Sequence, residues 1–428
     1  MDYAAALAEL DARKETRMVP DLSRILALAT YLDDPQLSYP TIHVTGTNGK
    51  GTAARVATAV ACAHGLTTGQ YTSPHLESVT ERLSVCGVDM SATEFAEEFT
   101  HLQPFLEIVD GQSDERVTYF EALTALAYLW FADKPVALGV FEVGMGGSWD
   151  ATNLVAGDVA LITPIALDHP ELGSTLTQVA GEKAGIIKQG KVTVVREQDA
   201  EALAVLESRC EQVDASMLLE LRDWEVIERL HAVGGQSFAV RGMRATYDDL
   251  FLPLFGEHSV RNAAAAIVAC EALLGEELDA DATREALAAI RWPGRLEVAG
   301  HQPLIVLDGA HNPAGAEALA TALREFFTWE RLHLVMSISA NKDVGGIAAQ
   351  LAPLADVAYA ARNESERAGE VLPIADAFGA GGKPVRVHGS VAEALDAART
   401  AAGPADLICV TGSLYTVADA RRALGLTV

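Results

Sequence analysis

Positive charge is scarce in this chain. Thirty-two Lys and Arg stand against 59 Asp and Glu, a formal net charge of −27 over 428 residues. A surface of that sign repels a polyphosphate backbone, which argues against nonspecific nucleic-acid binding. Any anionic substrate must then be held by a local cluster of Lys and Arg against the global field. Cysteine is sparse too: Cys62, Cys86, Cys210, Cys270 and Cys409 are odd in number and lack CxxC spacing. That pattern predicts reduced thiols, mostly small core residues, in a cytoplasmic protein. No apolar run is long enough to span a bilayer, and the N-terminal Met1-Asp2-Tyr3-Ala4 has no basic leader region. A soluble intracellular protein with no membrane partner is expected. Low-complexity tracts and solenoid repeats are absent as well.

What is present reads as globular: 50% hydrophobic and 21% charged residues. The length exceeds one ordinary core and predicts two or three domains. Residues 1–35 have helical spacing around a break at Val19-Pro20-Asp21. β-runs and helical runs then alternate: strands near 41–46, 68–73, 136–143, 159–167 and 191–195, helices near 52–64, 91–109, 118–132 and 175–188. Such alternation predicts a doubly wound, mainly parallel sheet with helices on both faces. Segment 223–255 changes to short alternating strands with Gly234-Gly235 at a turn, an antiparallel meander appended to that sheet. Trp292-Pro293-Gly294 punctuates the chain, and a second α/β series of Rossmann-like pattern follows. The expected domains are 1–295 and 296–428.

The chemistry gathers first at Thr45-Gly46-Thr47-Asn48-Gly49-Lys50-Gly51-Thr52, between a β-run and an Ala-rich helical pattern. Glycines there let the backbone approach an anion while turn and helix N–H groups point at it. Asn48, Gly49 and Gly51 belong to the cradle, Lys50 would reach the outer phosphates, and Thr52 could place its hydroxyl on Mg²⁺. This makes the first domain a P-loop domain, although Gly51 separates the Lys from the Thr.

Ligands of open parallel sheets sit at the carboxyl ends of strands. Other strands here end in Thr72-Ser73-Pro74-His75, in Glu142-Val143-Gly144-Met145-Gly146-Gly147 and in Asp168-His169. Glu142 follows a wholly apolar run, so its carboxylate is costly unless neutralised, and Mg²⁺ would do that. The Ser73 hydroxyl suits the same ion, or simply forms a turn before Pro74. Imidazole suits softer metals, so on chemistry alone His169 is a supporting residue rather than a direct ligand. Lys183 lies on an amphipathic helical stretch, where a solvated lysine is the ordinary expectation. In the second domain Asp308-Gly309-Ala310-His311-Asn312-Pro313 ends a strand and starts a helix. Capping accounts for Asn312 and Pro313 but not for Asp308 or His311. Arg295 could clamp a phosphate, and Thr411-Gly412-Ser413 is a small-residue helix start suited to a carboxylate.

Together these motifs, with Asp150-Ala151-Thr152-Asn153, Glu182-Lys183-Ala184-Gly185 and Gly256-Glu257-His258 with Asn262, resemble the folylpolyglutamate synthase/dihydrofolate synthase family of the Mur ligase superfamily. The resemblance spans nearly the whole chain. It implies a monomeric, ATP- and Mg²⁺-dependent ligase. The terminal carboxylate of a folate would be activated as an acyl phosphate and joined to L-glutamate, with dihydropteroate as a further acceptor. It also implies Ser73, Glu142 and His169 as metal ligands, with Lys50, His169 and Lys183 as the catalytic set. Lys183 matches a carbamylated lysine whose carboxylate can bind a second cation, a monovalent one among the candidates. Asn262, Arg295 and Asp308 match nucleotide positions. His311 and Ser413 match positions near glutamate and phosphate, and Thr72–Leu76, with Pro74 and His75, matches the pterin-side loop.

The chain departs from the family pattern at Ser148, where Arg is usual, and in the short loop after His169. It departs again at Glu366-Arg367 and Asn341-Lys342-Asp343. These leave room for a paralogue that ligates glutamate to a non-folate acid.

Overall fold

The computed structural model describes residues 1–14, 20–380 and 382–426. Val19 of the expected break lies outside them. The chain forms two compact units. The first comprises Met1–Arg229, Ser237–Phe251 and Arg261–Ile290; the second comprises Leu230–Gln236, Leu252–Val260 and the chain from Arg291 onward.

An eight-stranded sheet organises the first unit. Its strands are β1 (Thr41–Thr45), β2 (Thr68–Tyr71), β3 (Leu83–Val85), β4 (Val88–Asp89), β5 (Leu138–Glu142), β6 (Val159–Ile162), β7 (Val192–Val195) and β8 (Ser216–Leu219), in the order β4-β3-β2-β5-β1-β6-β7-β8. From β2 to β8 every neighbouring pair is parallel. Every residue of β1, β2, β5 and β6 is buried; β6 and β5 up to Phe141 accordingly read as apolar runs, whereas β1 and β2 also bury Thr41, His43, Thr45, Thr68 and Gln70. Helices cover the sheet. Tyr119–Asp133 begins in a capping box of Thr118 and Glu121 and buries Tyr128 and Phe131. Phe141 of β5 lies against both rings, with centroids 5.4 and 5.6 Å away.

Four features differ from expectation. The helix Ala200–Gln212 and strand β8 were not anticipated: the helix buries only Ala202, Leu206 and Cys210, and no residue of β8 is fully buried. The hairpin β3–β4 makes an antiparallel edge. The strands β9 (Glu225–Ala232), β10 (Gly235–Arg241) and β11 (Thr246–Leu252) form a three-stranded sheet of their own rather than an extension of the large one. Finally, Cys62 and Cys86 are joined in a disulfide, so the expectation of reduced thiols throughout is corrected; Cys210, Cys270 and Cys409 are free and buried. The left-handed turn Cys86-Gly87 brings Cys86 to the end of the helix Lys50–Ala63, with Cα atoms 5.8 Å apart. A separation of 24 residues carries no spacing signature by which a sequence could announce the pair.

The second unit is built on a six-stranded sheet of β12 (Glu297–His301), β13 (Leu304–Leu307), β14 (Leu332–Met336), β15 (Val357–Ala360), β16 (Val385–Val387) and β17 (Leu407–Thr411), in the order β12-β13-β17-β14-β15-β16. Only the edge strand β12 is antiparallel to its neighbour. The helices Pro313–Phe326, Val344–Leu351, Val371–Gly379, Val391–Ala401 and Leu414–Leu424 alternate with the strands. Among the described residues no helix is long and apolar enough to cross a membrane.

Candidate active site

Strand register lines up the carboxyl ends of five strands in the first unit. Val44 pairs with Glu142, Tyr71 with Phe141, Thr45 with Ile162 and Ile162 with Val195. The residues that leave these strands therefore meet along one edge: Thr72-Ser73, Glu142, Gly46, Thr163 and Arg196.

At the centre is the glycine loop. Gly46 and Gly49 have φ of 143° and 87°, and a Cβ on Gly46 would lie 1.9 Å from Thr163 Oγ1. Gly49 is the left-handed residue that starts the helix Lys50–Ala63. A Cβ there would lie 2.2 Å from Asn262 Nδ2, so the amide of Asn262 rests on the loop. Thr47 fixes the loop to the segment after β6: its hydroxyl donates to Ala166 O and accepts from Ala166 N, both at 2.9 Å. Lys50 curls over the loop and donates to the carbonyls of Gly46 and Thr47, each at 3.1 Å. Thr52 is buried in the first turn of the helix.

Lys183 is not the solvated lysine that its helix suggests. It is 4% exposed and donates to Gly46 O at 2.7 Å. Burial, and after it the charge of Lys50, lowers its ammonium to about 7, with Asp168 and Asp150 pulling the other way. Glu142 is also buried, and one oxygen accepts the amide N–H of Ser73 at 3.1 Å. Pro74 is exposed. His75 takes an N–H from Arg82 on Nδ1 at 3.0 Å, and burial followed by the Arg82 charge holds its imidazole down at about 3. His169 pairs with its own neighbours, Asp168 at 3.4 Å and Glu171 at 4.0 Å.

In the double glycine after Glu142, Gly146 has a positive φ of 74° and Gly147 has a packing cause. A Cβ on Gly147 would lie 2.7 Å from Glu182 O, and one on Gly185 would lie 2.5 Å from Ser148 Cα. The loop thus packs main chain to main chain against the helix that carries Lys183. Ser148 donates its hydroxyl to Glu182 O at 3.1 Å, a job for which a short side chain suffices. Asp150 and Asn153 are structural here. Asp150 accepts from Met145 N and Thr152 N at 2.8 and 3.0 Å, and Asn153 donates to Ser148 O and Gly185 O at 3.1 and 3.3 Å.

In the second unit Arg295 sits between two left-handed residues, Gly294 and Leu296, with φ of 72° and 47°. Each flanking amide is held by a carboxylate: Glu297 accepts Gly294 N at 2.8 Å, and Asp308 accepts Leu296 N at 3.0 Å. Burial raises the pKa of Asp308, while Arg295 opposes the rise. A Cβ on Gly309 would lie 2.4 Å from Arg295 Nη1, so that glycine makes room for the guanidinium. His311 places Nδ1 3.0 Å from Gly309 O. Asn312 caps the following helix, accepting Gly315 N at 2.8 Å. The Ser413 hydroxyl is engaged within its own helix start: it accepts Thr416 N at 3.0 Å and Asn363 Nδ2 at 3.2 Å.

Two layers escaped sequence reasoning. Arg196, at the end of β7, donates to Asn262 Oδ1 and to Glu220 Oε2. Arg421, buried in the last helix, donates to Glu297 and so backs the Gly294–Leu296 turn. The first had a signal, the charged pair Arg196-Glu197 closing the strand Val192–Val195; the second had none.

Comparison with known proteins decides the family. The Mur ligase middle-domain model matches residues 44–270, and the Mur ligase glutamate-ligase-domain model matches 294–414. The chain is 40% identical, over 97% of its length and 92% of the relative's, to the dihydrofolate synthase/folylpolyglutamate synthase of Mycobacterium tuberculosis. The chain belongs to the folylpolyglutamate synthase/dihydrofolate synthase family. It is accordingly an ATP-dependent ligase of the Mur type. Another member of this family, the folylpolyglutamate synthase of Lacticaseibacillus casei, is 35% identical over 99% of both chains. The Mycobacterium tuberculosis folylpolyglutamate synthase solved with ADP superposes with a TM-score of 0.95 at 40% identity, covering the whole of both chains. The family fold, a parallel-sheet domain followed by a separate α/β domain, is thus shared throughout.

Proposed function

We propose that this ligase binds ATP in the Gly46–Thr52 loop and adds L-glutamate to the terminal carboxylate of a folate, with dihydropteroate as a second acceptor. The observation that carries the reading is the meeting of Lys50 and Lys183 on Gly46, beside the strand that ends in Glu142. Asn48, Gly49 and Gly51 shape the cradle, and Lys50 steadies the outer phosphates. Mg²⁺ fits the oxygen donors present: Thr52, Ser73 and Glu142 would hold it, with His169 as the nitrogen donor that the family pattern adds. When bound, it neutralises charge on the phosphate oxygens. The acceptor carboxylate attacks the γ-phosphate, ADP leaves and an acyl phosphate forms; the amine of L-glutamate then attacks its carbonyl carbon, forming the amide as phosphate leaves and the amine loses a proton.

A lysine lowered to about 7 is partly neutral at physiological pH. CO₂ adds only to the neutral amine, which supports carbamylation of Lys183 and a second cation, a monovalent one included, beside the carboxylate so formed. Asn262, Arg295 and Asp308 serve the nucleotide. His311 and Ser413 lie near the glutamate and phosphate, and Ser73-Pro74-His75 serves the pterin side. The enzyme acts on small molecules as a cytoplasmic monomer, with no nucleic-acid or membrane partner.

Purified protein given ATP, glutamate and either tetrahydrofolate or dihydropteroate should release ADP and yield a product longer by one glutamate. No ADP release with any pterin acceptor would refute the folate assignment. Ser148, in place of the usual cation, keeps a second reading open: the same chemistry on a non-folate acid, which the same assay with other carboxylic acids detects.

A further inference from the structure

Asn262 meets the phosphate loop with one end of its amide, and Arg196 settles which end that is. Asn262 is 2% exposed, on the helix Glu257–Leu274, with Nδ2 against Gly49. Its Oδ1 accepts from Arg196 Nη1. A guanidinium has donors only, so the amide cannot turn its NH₂ group towards Arg196 without setting donor against donor. Arg196 is itself immobilised. It is 3% exposed, and its Nε donates to Glu220 Oε2 at 2.8 Å. Glu220 in turn accepts Glu197 N at 2.7 Å and Arg261 Nε at 2.6 Å. An asparagine alone could offer the loop either its oxygen or its nitrogen, and the buried chain Glu220–Arg196 removes that choice.

We propose that Arg196 is a positioning residue that locks the Asn262 amide with its NH₂ group towards the bound nucleotide, so that position 262 recognises a hydrogen-bond acceptor and rejects a donor. The proposal rests on the nucleotide reading of the loop. The acceptor is either a phosphate oxygen or a ring nitrogen of the base.

The test is a binding cycle with Mg-ATP and Mg-tripolyphosphate on the full-length protein and its R196M, N262A, R196M/N262A and N262D variants. N262A and R196M should each weaken ATP binding about tenfold, the scale of one buried hydrogen bond. The double variant should bind no worse than N262A, because Arg196 acts through Asn262. Losses for both ligands place the acceptor on a phosphate, and a loss for ATP alone places it on the base; either supports the proposal. N262D keeps a partner for Arg196 but offers the loop only oxygen, and it should bind ATP at least as poorly as N262A. Wild-type affinity in N262D would overturn the proposal. So would R196M that binds normally while N262A does not, or fully additive losses in the double variant. If K50A and N262A both retain full ATP affinity, it is the nucleotide reading itself that fails.

Discussion

Lys50 and Lys183 donate to the same carbonyl oxygen, that of Gly46, at 3.1 and 2.7 Å. Burial, and after it the repulsion between the two ammonium groups on one acceptor, makes Lys183 yield its proton more readily: it falls to about 7. Activity should therefore rise with pH through about 7, as the neutral amine becomes available to CO₂. At pH 6 the neutral fraction is about a tenth, so added bicarbonate should stimulate most there. A flat profile without CO₂ dependence would remove the carbamate.

If Lys183 has its proposed role at the reacting phosphates, replacing it with Met should lower turnover about a hundredfold or more. The same variant should melt no lower than the parent at pH 7. The unfolded lysine holds its proton up to about 10.5, whereas the folded one releases it near 7. Burial of that ammonium thus costs stability that is regained only as pH rises. Circular dichroism melts together with an ADP-release assay separate the two effects.

Gly49→Ala should weaken Mg-ATP binding and cost about 1–3 kcal/mol of stability, since φ is positive and the new Cβ meets the Asn262 amide. Calorimetric titration with ATP and urea unfolding read out both quantities. Gly65→Ala, also at positive φ but with nothing within 4 Å of its Cβ, controls for backbone strain alone.

His43 predicts acid sensitivity. It lies fully buried on β1 with Nε2 2.8 Å from Thr152 Oγ1, and burial holds its imidazole down at about 3, from the usual 6.5. Between those values the unfolded chain binds a proton that the folded chain refuses. Unfolding free energy should therefore be intact above pH 6.5 and fall as pH drops towards 3. Urea melts across this range should show the slope, and His43→Gln should flatten it by up to one proton.

The Cys62–Cys86 bridge closes a loop whose chain entropy is worth about 3 kcal/mol. Denatured, unreduced protein should titrate three thiols and reduced protein five. Reduction should also lower the melting temperature. Five thiols before reduction would remove the bridge.

Strands β5 and β6 were legible because they run almost wholly apolar, and the phosphate loop because its glycines and lysine fall between a strand and a helix. The helix Ala200–Gln212 and β8 were not: the helix buries a single narrow line, Ala202, Leu206 and Cys210, and no residue of β8 is fully buried. Lys183 was misjudged in isolation: helical spacing says which residues share a face, not that this face carries a lysine reaching the Gly46 carbonyl. The Arg196–Asn262 bond joins residues 66 apart in the chain, and nothing local in either one announces the other.

The contact of Gly147 with the carbonyls of Glu182 and Lys183 has a mechanical meaning. It sets the spacing between the loop after the Glu142 carboxylate and the backbone of Lys183 by peptide units rather than by side chains. Substitutions among the surrounding side chains should therefore leave that gauge unchanged, because no side chain sets it.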